Sequence, residues 1–107
     1  MKYIIILITT PSSKVSDVII NQLLAGNLIS CVNVVPAVKS VYWWKGKLCK
    51  SKEQLLIFKS IKNRFKKIED IVKKNHPYEV PEIVSFEISN GNPEYLKWIF
   101  NTVNSRR

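Results

Sequence analysis

The stretch Asn75–Ile83 concentrates the chemistry-bearing side chains of this sequence: His76, Tyr78, Glu79 and Glu82 sit around two prolines, Pro77 and Pro81. Prolines four residues apart stiffen a connection. A stiff connection holds polar side chains at fixed places, as a binding site requires. The same stretch would serve equally as a structural connector, with Tyr78 and Glu79 tying neighbouring chains together. His76 is the one histidine, and Cys31 and Cys49 are the two thiols. Thiolate and imidazole are donors that suit copper. Cys31 also has the ordinary reading of a small buried apolar side chain, and His76 that of a polar group packed at a subunit boundary. Cys49 lies on a hairpin among lysines and reads as an incidental surface thiol. Lys59 follows the apolar run Leu55–Phe58. A lysine partly buried there needs a partner; Glu79 or Glu82 is expected, and a bound anion is the alternative. Trp43 and Trp44 are neighbours in a strand and so face opposite sides. One joins the core and the other an interface, with an aromatic ligand platform as the further option.

The elements that must position these groups follow from hydrophobic spacing. Tyr3–Thr9 is an unbroken apolar, β-branched run that suits a strand inside a sheet. Ser12 and Ser13 offer a helix N-cap after Pro11, and Val15, Val18, Ile19 and Leu23 share one helical face. Gly26 is expected to stop that helix in a left-handed conformation. Ile29–Lys45 reads as a long strand with a bend, bulge or edge position at Pro36–Ala37. Gly46 marks a turn, and Glu53–Ser60 returns as the second arm of a long hairpin. Phe65, Ile68, Ile71 and Val72 recur at helical spacing, with lysines on the outer face, and Pro77 ends that helix by His76. Glu82–Ser89 reads as a strand. Asn92-Pro93-Glu94 reads as a cap, a first-turn proline and an acidic first turn. Tyr95, Leu96, Trp98 and Ile99 are expected on the buried side of that last helix.

The order β-α-β-β-α-β-α makes one domain, residues 1–107, of α+β class. It predicts a four-stranded antiparallel sheet with helices on one face. The strands are too apolar to leave the other face wet, so association between chains is expected.

Composition narrows the function. The chain carries 17 Lys+Arg against 8 Asp+Glu, a formal charge of +9, which invites a nucleic-acid reading. The excess is mainly lysine, accompanied by abundant Ile and Asn, and reads as a solvated basic surface. An RNA-recognition module shares the element order, but its third strand needs an exposed aromatic pair for base stacking. Glu53-Gln54-Leu55-Leu56-Ile57-Phe58-Lys59 has none. An acyl-phosphate hydrolase would need an arginine after the first strand, where this chain has Thr9-Thr10-Pro11-Ser12-Ser13. No apolar run approaches the ~20 residues of a membrane span. The opening apolar run is short and lacks a cleavage site, so it reads as a strand and the expected compartment is the cytoplasm.

Six segments in order carry a family likeness. His76-Pro77-Tyr78-Glu79-Val80-Pro81-Glu82 resembles the HPYEVPE segment of the CutA family, the divalent-cation tolerance proteins. Leu7–Pro11 is similar to that family's first strand and turn, and Leu28–Asn33 to its LAACVN segment. Ser40–Lys47 resembles its S-x-Y-W-W-x-G-K hairpin. Glu53 with Leu55–Ser60 resembles E-x-L-L-x-x-K-T, and Tyr95–Ile99 resembles Y-L-x-W-I. The resemblance covers nearly the whole chain. It implies a ferredoxin-like protomer in a tight homotrimer, a link to copper and other divalent metals, and no family-wide enzyme activity. Signalling like that of the nitrogen-regulatory trimers is the alternative it leaves open. The family's copper positions map onto Cys31 and His76, but Ile8 stands where some members carry a further cysteine. Any site is expected in a cleft between subunits, built from Lys59, Tyr78, Glu79, Glu82 and Trp44, and suited to a small anion or an anion–metal pair.

Overall fold

In a computed structural model describing residues 2–105, the chain forms β1 (Tyr3–Thr10), α1 (Ser13–Ala25), β2 (Cys31–Trp44) and β3 (Lys47–Ile61). A short 3-10 turn (Lys62–Arg64), α2 (Phe65–Asn75), β4 (Ile83–Glu87) and α3 (Pro93–Val103) follow. The sheet order is β2-β3-β1-β4, with every neighbouring pair antiparallel. This is the predicted ferredoxin-like topology.

β1 lies inside the sheet, and strand alternation decides what each of its faces does. Ile4, Ile6, Ile8 and Thr10 are buried on the face covered by α1 and α2. Ile19 and Leu23 of α1, Ile68 and Val72 of α2, and Leu56 and Phe58 of β3 complete that core. The opposite face, with Tyr3, Ile5, Leu7 and Thr9, is half-buried.

Helix ends follow local chemistry. Ser12 Oγ accepts the Val15 amide at 3.2 Å and caps α1. At the other end the left-handed residue is Asn27 (φ 55°), not the expected Gly26, whose φ is −85°. Asn27 N–H reaches the Leu24 carbonyl and Leu28 N–H the Leu23 carbonyl, the paired bonds of a Schellman ending. Asparagine tolerates this conformation, and the ending turns Leu28 back into the core. Asn92 caps α3, with Pro93 at its first position, as expected.

Two assignments of helix faces are corrected. Val18 is 42% exposed, because α1 turns Ser16, Ile19 and Leu23 inward instead. α3 lies on the sheet face opposite α1 and α2, so the helices do not share one face. Its Ile99 and Val103 pack on Ile61 and Tyr3, while Tyr95 and Trp98 stay 41% and 44% exposed. The strand Glu82–Ser89 contracts to Ile83–Glu87, leaving Glu82 in the preceding loop.

The hairpin is the element that reaches farthest. Its register slips between Val35 and Val38, so Pro36–Ala37 forms the bulge that its proline demands on an edge strand. Lys45 (φ 50°) and Gly46 (φ 77°) turn the chain in two residues, the primed turn that matches strand twist. Along β3, β1 pairs only with Gln54–Ile61, so among the described residues Lys47–Glu53 have β2 as their sole strand neighbour. Trp43, Leu48 and Val41 are 73%, 56% and 51% exposed on this ribbon. The radius of gyration is 14.5 Å, against about 13 Å for a compact chain of this length.

Replacing the fully buried Phe58 by alanine is expected to cost about 3–5 kcal/mol at any protein concentration. Any loss from Trp43→Ala is expected to depend on concentration, since the described residues leave that ring for a second chain to cover. Denaturant melts at two protein concentrations check both statements.

Candidate functional site

The distal half of β2 and the loop after α2 face each other across a cleft of about 630 Å³. β2 contributes Ser40, Tyr42 and Trp44 to its walls, β1 contributes Thr9, and β3 contributes Glu53. The loop contributes Tyr78, Glu79 and Glu82. Four residues expected at a common site, Trp44, Tyr78, Glu79 and Glu82, are thus brought together by one chain.

His76 fastens the loop. Its Nε2–H donates to the Thr9 carbonyl at 2.8 Å, and its Nδ1 accepts the Tyr78 amide at 3.1 Å. With Nδ1 accepting an amide, Nε2 is the ring nitrogen that donates. The ring is buried and tilts against Tyr78, centroids 4.7 Å apart. The phenol then reaches across the cleft floor and donates to Glu53 Oε2 at 2.8 Å. Burial first, then this bond and the Glu53 charge, push the Tyr78 phenol up to about 12. Glu53 is only 5% exposed. Sequence reasoning does not single it out as a site residue. Its signals are those of a lone acid opening an apolar strand among Lys47, Lys50 and Lys52, and of the first residue of the segment that resembles E-x-L-L-x-x-K-T.

Lys59 does not join this group. Its cross-strand partners are Ile5 and Cys31. It lies six residues beyond Glu53 on β3, roughly 20 Å at strand rise. Among the described residues it forms no ion pair with Glu79 or Glu82. Within one chain Glu79 and Glu82 sit at the Thr9 end of β1 and Lys59 at the Ile5 end.

Cys31 belongs to that second neighbourhood. Its Sγ lies 3.6 Å from the Tyr95 hydroxyl, and Tyr95 stacks on Trp98 with centroids 5.6 Å apart. Burial, followed by the contact with Cys31, pushes Tyr95 up to about 12. Cys31 sits at the level of Ile5 and His76 at that of Thr9, roughly 13 Å apart along β1 alone. One chain therefore does not bring the two copper candidates together. Cys49 is elsewhere again, near the hairpin tip, with Sγ 3.8 Å from the Lys47 carbonyl. Among the described residues, no three His, Cys, Asp or Glu side chains gather to hold a metal.

The element order, the β2-β3-β1-β4 sheet and the extended hairpin define a ferredoxin-like α+β protein. Residues 4–102 match the model of the CutA1 divalent ion tolerance protein family. The divalent-cation tolerance protein CutA of Thermus thermophilus is 43% identical over 95 residues, covering 89% of this chain and 92% of that protein. A chloroplastic CutA 1 of Oryza sativa is 36% identical over 92% of this chain, which spans 56% of that longer protein. The fold is similar to crystalline CutA1 from Oryza sativa, with a TM-score of 0.91 at 35% identity, covering 95% of this chain and 94% of that one. It is also similar to a structure called the periplasmic divalent cation tolerance protein CutA from Archaeoglobus fulgidus, with a TM-score of 0.92 at 36% identity, covering 95% and 99%. The chain belongs to the CutA family. Its relatives' names span more than one compartment, and no described helix is long and apolar enough to cross a membrane.

Tyr78→Phe is expected to cost about 1–3 kcal/mol, because it leaves the buried Glu53 carboxylate without its donor. Tyr78 also makes stability depend on alkaline pH. Its folded value lies above the ordinary 10, so its contribution is complete below pH 10 and falls away towards pH 12. Urea melts from pH 8 to 12 should show a shallower alkaline decline in the phenylalanine variant, with Tyr95 and Lys66 contributing to what remains.

Proposed function

We propose that this chain works as a cytoplasmic, non-enzymatic homotrimer in divalent-cation tolerance, with copper as the metal it responds to. The observation that carries this reading is the family match over residues 4–102, joined by the same fold. The trimer is supported by the half of β3 that has a single strand neighbour and by the apolar rings it exposes. A second chain adding a strand to such a ribbon removes an open edge. Light scattering is expected to give three times the 12.4 kDa chain mass. A value near one chain mass at micromolar protein rejects the trimer.

Copper is expected to bind weakly or moderately, through Cys31 or His76, because each supplies one donor at a time within a chain. Equilibrium dialysis against copper should show a Cys31→Ser, His76→Ala double variant losing most bound metal. Unchanged binding would move the metal to Cys49, to adventitious surface groups, or to Met1 and the amino terminus, the last two lying outside the described residues.

The cleft favours a second reading, a small-ligand-sensing trimer. Its volume of about 630 Å³ falls within the ~300–1,000 Å³ of small-molecule sites, and its polar groups converge on one floor.

A further inference from the structure

Among the described residues the cleft walls carry no lysine, arginine or histidine, although the chain has 17 Lys+Arg against 8 acids. Three of those acids, Glu53, Glu79 and Glu82, line it. Elsewhere Glu69, Asp70 and Glu87 are each held by lysines at 3.0–3.5 Å, while among the described residues no ammonium pairs with the three in the cleft. Glu53 is the telling member. It is 95% buried, and Tyr78 donates to only one of its oxygens. A buried carboxylate ordinarily has a cation beside it.

The remaining walls suit a cation as well. Tyr42, Trp44 and Tyr78 present aromatic rings to the cleft. The Trp44 ring already draws the chain's own Lys45 ammonium to 5.8 Å from its centroid, the distance of a cation–π contact. A bare metal fits poorly. Its ligands must converge within ~2.0–2.6 Å of one point, and these carboxylates form no such cluster. A bulkier cation can meet them at separate places in a space of about 630 Å³.

We propose that this cleft binds an organic ammonium ion, a polyamine or a quaternary ammonium compound, with Glu53 as its central counter-charge. Glu79 and Glu82 supply further negative charge at the exposed rim, and Trp44 and Tyr42 supply aromatic walls. The inference rests on the small-ligand reading of the same cleft and specifies its ligand class. It differs from the anion expected from sequence, an expectation that depended on Lys59; within one chain that lysine lies towards the other end of β1.

Spermidine and tetramethylammonium chloride titrated separately into the full chain, followed by tryptophan fluorescence and calorimetry, test this. At least one should saturate. Glu53→Gln should weaken it about tenfold or more, since the amide keeps an acceptor for Tyr78 but loses the charge. A Glu79→Gln, Glu82→Gln double variant changes only exposed side chains, so it keeps the test decisive if Glu53→Gln fails to fold; it should weaken binding about threefold or more. Lys59→Ala should bind as the parent does. No saturation by either amine up to about 10 mM, or equal affinity in the glutamine variants, overturns the proposal. So does a structure of the assembled protein with a lysine from a second copy seated against Glu53. ATP and sodium sulfate are titrated in parallel. Binding of either without binding of an amine overturns the cation assignment and leaves the small-ligand reading standing, whereas silence from all four probes removes both.

Discussion

Only the Gln54–Ile61 half of β3 has β1 beside it, and among the described residues the Lys47–Glu53 half has β2 as its sole strand partner. Most of what the molecule presents to its surroundings follows from that unequal pairing. Where β1 is present, α1 and α2 can lie on the sheet and bury Leu56 and Phe58. Where it is absent, neither side of the ribbon has a layer above it, and Trp43, Leu48 and Val41 stay in contact with water. A two-stranded ribbon is marginal on its own, so this one must draw support from elsewhere. The His76–Glu82 loop provides part of it by closing over the base of the ribbon through Tyr78 and Glu53.

The cleft is a consequence of the same mismatch. β1 stops at Thr10, and its last carbonyls would face water if nothing followed. His76 takes the Thr9 carbonyl and holds the loop there, so Tyr78 can extend under the ribbon. The resulting pocket is acidic, while lysines 39, 45, 47, 50 and 52 mark the hairpin around it. Opposite signs set this close give a field that changes steeply over a short distance. Such fields sort ligands by charge at the mouth of a site.

Features governed by near neighbours along the chain are legible from the residues alone. Pro36 in a long strand demands a bulge, Gly46 a tight turn, and Ser12 and Asn92 helix caps, because each rests on backbone chemistry within a few residues. Trp44, Tyr78, Glu79 and Glu82 can be grouped because all lie at element ends beside one hairpin. Lys59 does not join them within one chain, and the cause is register. Whether β3 presents residue 59 or residue 53 near the loop depends on which end of β1 the loop reaches, and spacing within β3 does not contain that information. The same gap hides Glu53, whose meaning depends on a tyrosine 25 residues away. The side taken by α3 is likewise invisible in its pattern. That pattern permits Tyr95 and Trp98 to face inward, and only the packing of Ile99 and Val103 on Ile61 and Tyr3 decides otherwise.

Register also orders the two metal candidates energetically. A donor already committed to the fold must give up a bond before it can ligate. His76 is committed at both nitrogens, and freeing either one leaves the Thr9 carbonyl or the Tyr78 amide without its partner. That loss costs about 0.5–1.5 kcal/mol if water replaces the bond and about 1–3 kcal/mol if the orphan stays buried. It would also loosen the loop that delivers Tyr78 to Glu53. Cys31 has only a 3.6 Å sulfur–hydroxyl contact to surrender and is half-exposed on its sheet face, and sulfur is a weak hydrogen-bonding partner. A soft metal therefore meets less resistance at Cys31. Occupancy there would act on Tyr95 and Trp98, leaving the cleft undisturbed. The two ends of β1 are in this sense separable: one offers a thiol beside exposed aromatic rings, and the other offers an acidic pocket whose histidine serves as its fastening.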